Sequence, residues 1–145
     1  MSLDENKARA RHILEEAFNQ GNLDAVDAGF TPDAQIHDPG LEMRGPAELK
    51  RGLQSLLRAF PDFHFTVEDQ LAEGDKVSIR YRGRGTHRGE FLGVPATGKP
   101  FSYTGIFIVQ MQAGKIAELW AAPDQLGLLR QLGARVALPS SPLTE

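Results

Sequence analysis

The sequence predicts a single α+β domain in which N-terminal helices pack into a strongly curved mixed or antiparallel sheet, leaving a cone-shaped cavity. Three observations carry this. Apolar residues recur at helical spacing as far as Phe60, and from Pro61 onward they alternate with polar ones. Helices followed by a run of strands is the segregated α+β order. Turn signals at Glu73-Gly74-Asp75 and Ala113-Gly114 join successive alternating runs, as antiparallel neighbours require.

The elements follow in order. Ala8, His12, Leu14, Ala17 and Phe18 mark a first helix from about Asp4 to Gln20, stopped by Gly21. Leu23 to Phe30 reads as a short second helix, with Asn22 as its cap and Thr31-Pro32 beyond it. Ala34 to Asp38 is a short strand ended by Pro39-Gly40. Gly45-Pro46 opens a third helix, Ala47 to Phe60, with an apolar stripe of Leu49, Leu53, Leu56, Leu57 and Phe60. Strands follow at Phe63–Val67 and Val77–Tyr81, then a glycine-rich stretch, then strands at Phe101–Gln112 and Lys115–Ala121. Asp124 to Leu132 gives a last helical turn or two, and residues 134–145 form a frayed tail. A twisted sheet wrapped around the third helix leaves a pocket suited to an apolar ligand.

Composition limits the function. The 145 residues suit one domain, 1–145, with no repeat or linker to divide it. The chain has no cysteine, which excludes disulfides, thiolate catalysis and cysteine-ligated metal. A net charge of −3 argues against nucleic acid as a partner. The Arg80, Arg82, Arg84, Arg88 cluster reads as a solvated face. The polar start of the chain and the lack of a long apolar run predict a cytoplasmic protein with no membrane partner. The histidines lack paired metal-ligand spacing, and Gly83, Gly85 and Gly89 do not open a helix as a phosphate loop would, so neither metal nor nucleotide cofactor is expected.

The stretch Gly85-Thr86-His87-Arg88-Gly89-Glu90 through Gly98-Lys99, and the ending Gly114-Lys115-Ile116, Glu118-Leu119-Trp120, Asp124 and Leu128 to Gly133, resemble segments of the SnoaL-like polyketide cyclases of the nuclear-transport-factor-2-like (NTF2-like, or cystatin-like) superfamily. Phe60-Pro61-Asp62 and the Glu73-Gly74-Asp75 turn agree, so the resemblance spans about residues 8–133. It implies the cone fold, a homodimer, and an enzyme of lyase or isomerase type. Such an enzyme closes a ring in a polyketide ester by intramolecular aldol condensation without cofactor or metal. Asn19 to Asp24 and Ala34 to Gly40 are also similar to segments of ketosteroid isomerases, where the aspartate before the proline is the base. That position is Asp38 here, whereas the isomerase oxyanion positions fall on Leu14 and on or near Phe107. The Arg-x-Asp relay of related epoxide hydrolases has no counterpart, because Arg82 follows Arg80.

Aldol ring closure needs a base beside a carbonyl and a donor for the enolate or alkoxide oxygen. A carboxylate in an apolar cone suits the first task, since desolvation raises its pKa. Asp38 shares a strand face with Ile36 and either enters the cavity with it or hydrogen-bonds the following turn. Asp124 is the second candidate, at even spacing from Trp120, with a helix N-cap as its competing role. His87 is the best placed of the four histidines to assist; His12 is expected on a helix surface, and His37 and His64 on faces opposite Asp38 and Phe63. Tyr103 could donate to a substrate carbonyl or pack across strands. Leu14, Phe18, Phe30, Phe60, Phe107 and Trp120 are the expected core and cavity wall, with Trp120 the most expected to touch a ligand. Val77, Ile79 and Tyr81 form the natural inner face of their strand. The expected ligand is a small apolar carbonyl compound. A non-catalytic binding module for such a ligand, and an isomerase of the ketosteroid type, are the alternatives.

Overall fold

A computed structural model describes residues 1–139. The predicted tail falls partly on residues 140–145, outside the described residues. Four helices and six strands run α1 (Leu3–Gln20), α2 (Leu23–Gly29), β1 (Phe30–Asp38), β2 (Leu41–Arg44), α3 (Gly45–Ala59), β3 (His64–Glu73), β4 (Lys76–Thr86), β5 (Pro100–Gln112), β6 (Lys115–Pro123) and α4 (Gln125–Gln131). The strands form one sheet in the order β2-β1-β6-β5-β4-β3. The β1–β6 pair is parallel and the others are antiparallel, so the sheet is mixed.

Local chemistry sets the helix ends. Ser2 and Glu5 form a reciprocal capping box at the start of α1, and Gly21 closes it at φ 59°. Asn22 caps α2 by accepting from the N–H groups of Asp24 and Ala25. The buried stripe of α1 is Ala10, Ile13, Leu14 and Ala17; Ala8, read as part of that stripe, is exposed. Asn19, at the end of α1, clamps β3: its Nδ2 donates to the Phe65 carbonyl at 2.9 Å and its Oδ1 accepts from the Phe65 N–H at 2.7 Å.

Three expectations need correction. β1 begins at Phe30 rather than Ala34, directly from α2. β2, which was not foreseen, pairs Leu41–Arg44 back on β1 through a turn whose Gly40 has φ 72°. The sheet does not wrap α3 alone: α1 packs along β3 to β6 while α3 lies over β1 and β2. Leu49, Leu56 and Leu57 of α3 are accordingly only half-buried, because part of their stripe faces the cavity.

Curvature comes from irregular register. Pairing slips between Val67 and Asp69 on β3 and between Gln110 and Met111 on β5, and such slips bend a strand and increase its twist. The inner face carries Phe65, Val77, Ile79, Tyr81, Phe107 and Val109, all buried, as the alternation predicts. Arg80, Arg82 and Arg84 are exposed on the outer face.

Candidate active site

α1, α3 and the concave sheet leave a cavity of about 770 Å³, within the range that holds a drug-sized ligand. Leu14 and Phe18 reach it from α1, Phe30, Ile36 and Asp38 from β1, and Leu49, Leu53 and Leu56 from α3. Tyr81, Tyr103 and Phe107 form its sheet wall, and Leu119, Ala121 and Pro123 are the inward positions of β6. The wall is therefore largely aliphatic and aromatic. Its described carboxylates are those of Asp38 and Glu90.

Asp38 ends β1 two residues after buried Ile36, and the period of two carries both into the cavity. It is half-buried, and desolvation raises its pKa above the ordinary carboxylate value. Glu90 is exposed at the mouth, where its Oε1 accepts from the Gly93 N–H at 3.1 Å.

The other predicted residues divide by location. Leu14, Phe18, Phe30, Tyr103 and Phe107 line the cavity with Asp38. Asp124 does not: it is exposed and caps α4, its Oδ1 accepting from the Gly127 N–H at 2.9 Å. Trp120 stands on the outer face, stacked on His37 with centroids 5.7 Å apart and with Lys76 Nζ 5.3 Å from its ring centroid. The expectation that Trp120 touches a ligand is corrected by strand parity, since Leu119 and Ala121 take the inward positions on either side. Asp124 shares the parity of Trp120.

Phe60 is fully buried among Phe63, Phe91 and Phe101 and is not part of the cavity lining. His87 is fully buried against the Phe60 ring. Its Nδ1 lies 2.9 Å from Thr97 Oγ1 and accepts from the Thr97 N–H at 3.3 Å. His87 thus pins the two ends of the loop from residue 87 to 99, whose Gly89, Glu90, Phe91 and Leu92 border the cavity, rather than facing the cavity itself. Arg88 and Gly89 N–H groups both donate to the Ala59 carbonyl, fixing that loop to the end of α3. His12 and His64 are exposed, and His37 lies on the face opposite Asp38, as expected.

One cavity residue was read only as an inner-face packing position. Tyr81 is 2% exposed, yet its side chain borders the cavity and its ring meets that of Tyr103 edge to face, with centroids 6.1 Å apart. The signal available in the sequence was its parity with Val77 and Ile79.

A cone of this topology with one desolvated carboxylate in an apolar cavity belongs to the NTF2-like superfamily. Residues 8–132 match the SnoaL-like polyketide cyclase family, and the chain belongs to it. The chain is 36% identical over 125 residues to the aklanonic acid methyl ester cyclase DnrD of Streptomyces peucetius, covering 81% of this chain and 84% of that protein. It is 31% identical over 129 residues to the nogalonic acid methyl ester cyclase of Streptomyces nogalater, with 81% and 90% covered. Among solved structures, IdmH of Streptomyces antibioticus superposes with a TM-score of 0.77 at 35% identity, over 89% of this chain and 99% of its own. A protein of ketosteroid isomerase-like fold from Catenulispora acidiphila, at 17% identity and a TM-score of 0.74 over 86% and 92% of the two chains, shares the fold. The chain is an enzyme of the polyketide cyclase type. None of its described helices is long and apolar enough to cross a membrane.

Proposed function

We propose that this enzyme closes a ring in a polyketide-type ester by cofactor-independent intramolecular aldol condensation, with Asp38 as its base. The observation that carries this reading is the desolvated carboxylate of Asp38 in a largely apolar cavity. Asp38 takes the proton from the carbon beside a carbonyl. The resulting enolate carbon attacks a second carbonyl carbon of the same molecule, forming the ring C–C bond, and the proton returns from Asp38 to the new alkoxide oxygen. Nothing is oxidised or reduced. Desolvation suits both halves, because it strengthens the carboxylate as a base and keeps the carboxylic acid available as the donor.

The cavity volume and its lining favour an apolar, polycyclic carbonyl substrate. The relatives that act on aklanonic and nogalonic acid methyl esters support the same substrate class. Asp124 is assigned to capping α4 and His87 to holding the loop from residue 87 to 99, for the contacts given above.

The test follows deuterium uptake from deuterated water into β-keto esters and polycyclic ketones, read by mass spectrometry. Wild type and Asp124→Asn are expected to exchange the activated carbon, and Asp38→Asn to lose that exchange. Exchange retained by Asp38→Asn would remove Asp38 from the role of base.

We also propose that the enzyme is a homodimer joined through the outer face of the sheet. Ile106 and Ile108 of β5 are 43% and 40% exposed there, beside half-buried Trp120, and Leu71 on β3 is 69% exposed. Leu71, Ser78, Ile108, Trp120 and His37 follow one another across five strands in register, which gives a continuous band.

A further inference from the structure

Two tyrosines and two glycines form reciprocal pairs across β4 and β5. Tyr81 stands opposite Gly105, and Gly83 stands opposite Tyr103. All four share the concave face, because the two members on each strand are two residues apart. Each glycine provides the space in which the opposing ring lies. A Cβ on Gly105 would sit 2.6 Å from both Cζ and Oη of Tyr81, and one on Gly83 would sit 2.7 Å from Cε1 of Tyr103. The rings therefore lie across the sheet rather than standing up from it, and they meet edge to face at 84° with centroids 6.1 Å apart.

Packing locks this arrangement. Phe107 stacks on Tyr81 at 4.5 Å and Phe65 lies 5.0 Å away; Phe63 and Phe101 flank Tyr103 at 6.4 and 6.1 Å. The two hydroxyls act on each other's ionisation; with Tyr81 as the donor to Tyr103, the Tyr103 proton is left for another acceptor. Both side chains border the cavity that holds Asp38, and its charge acts on both hydroxyls.

We propose that Tyr103 and Tyr81 are the donor half of this active site. Tyr103 hydrogen-bonds the oxygen of the carbonyl whose neighbouring carbon is deprotonated, and Tyr81 is a positioning residue that aims and polarises the Tyr103 hydroxyl. Gly83 and Gly105 are the frame. This deepens the cyclase reading and rests on Asp38 as the base.

The chemistry fits the task. As the enolate forms, negative charge moves to the carbonyl oxygen, and a donor already fixed in a low-dielectric site stabilises it without reorganisation. A hydroxyl that accepts a hydrogen bond becomes a better donor itself. Both phenols stay protonated at neutral pH: burial pushes Tyr103 up to about 12 and Tyr81 further still, with the Asp38 charge adding to both. No proton leaves either tyrosine. The ketosteroid isomerase oxyanion positions, here Leu14 and Phe107, are thus replaced in function by a pair on β4 and β5.

The experiment separates the donor pair from the base. It uses 2-naphthol, whose ionised form imitates an enolate, and reads the absorbance of the bound naphtholate at fixed pH; naphthalene binding measures the cavity alone. Tyr103→Phe is expected to lower the ionised fraction of bound naphthol roughly tenfold, as losing a hydrogen bond to a charged oxygen should. Tyr81→Phe is expected to lower it about threefold. Naphthalene affinity should hold within about twofold in both, which also reports an intact fold. Gly105→Ala, whose Cβ would displace the Tyr81 hydroxyl, should reproduce the Tyr81→Phe loss with the hydroxyl still present. Asp38→Asn should raise naphtholate binding while abolishing carbon-acid exchange. Wild-type naphtholate binding by Tyr103→Phe would overturn the donor role, and by Tyr81→Phe the positioning role, whatever Asp38→Asn does. Retained exchange in Asp38→Asn would instead remove the base and leave the donor pair to the naphthol result.

Discussion

His37 and Asp38 are consecutive residues of β1 that project to opposite faces of the sheet. On the outer face, His37 places Nδ1 2.6 Å from Glu42 and Nε2 2.6 Å from Glu118. On the inner face, Asp38 borders a largely apolar cavity and has no ion pair among the described residues. The strand thus gives the histidine compensating charge and denies it to the aspartate, a condition that raises the carboxyl's proton affinity and makes it a stronger base.

Asp38→Asn separates catalysis from stability. Burial raises the Asp38 pKa, so the folded protein holds that proton more tightly than the unfolded chain does. The stability linked to this group is full below the ordinary carboxylate value and falls as pH rises through the raised one. The variant should therefore melt above wild type at pH 7–8, and the difference should vanish at pH values below the ordinary carboxylate pKa. Cyclisation or exchange should fall by about 10²–10⁴. Wild-type activity should rise with pH as Asp38 ionises. Thermal melts at several pH values and a pH–rate profile check both signs; a variant less stable than wild type at pH 8 would contradict the desolvation argument.

Asp124 gives the opposite pattern. As the N-cap of α4 it satisfies the Gly127 N–H, so Asp124→Ala should cost about 1 kcal/mol of stability, whereas Asp124→Asn, which can still cap, should cost less. Activity per folded molecule should change by less than about twofold in either. A large loss of kcat with an unchanged melting temperature would return Asp124 to the chemistry.

Much of this was legible in the sequence, and each failure has its own physical cause. The change of period after Phe60 located the sheet, and the common parity of Ile36 and Asp38 placed the carboxylate. Parity also tied Asp124 to Trp120 correctly, but parity says which residues share a face and not which face is concave. On β6 the inward positions are small or aliphatic, Leu119, Ala121 and Pro123, so the conspicuous aromatic misled. β2 was missed because its four residues are too few to show alternation. The Tyr–Gly pairing was invisible because it depends on cross-strand register, which no single strand encodes.

The two carboxylates around His37 should make part of the protein's stability fall as pH rises above the ordinary histidine value. The Glu118 hydrogen bond raises the His37 pKa, burial opposes it, and Glu42 adds to the rise. Stability from this group is full below the ordinary histidine value and is lost as pH rises through the raised value. His37→Gln should flatten the melting temperature between pH 6 and 9 relative to wild type. Equal slopes for the two proteins would show that the triad contributes nothing.

His87 should matter through the loop rather than through proton transfer. It is completely buried beside Phe60, and it ties residue 87 to Thr97. His87→Ala leaves a void in that packing and should cost on the order of 2–4 kcal/mol. Gly89→Ala should loosen the same loop, since its Cβ would sit 2.6 Å from the Arg58 carbonyl oxygen. Both should raise KM more than they lower kcat, because Gly89 to Leu92 border the cavity mouth. A fall in kcat with KM and stability unchanged would make His87 a participant in the chemistry.

The outer face supplies the last prediction. Ile106 and Ile108 alternate with the inward-facing Gly105, Phe107 and Val109, so a charge at Ile108 enters the exposed band without touching the core. Ile108→Glu would also stand beside Trp120 in register, where a partner's apolar surface would have to desolvate it. In a homodimer formed through this face the variant should become monomeric at micromolar concentration and stay folded, losing only the concentration-dependent stability that association contributes. Sedimentation or light scattering reads the mass directly. A wild-type protein that is already monomeric would overturn the homodimer, and a variant that stays dimeric would move the interface elsewhere. Since Asp38, Tyr81 and Tyr103 all project from the concave side, the monomeric variant is expected to retain exchange activity.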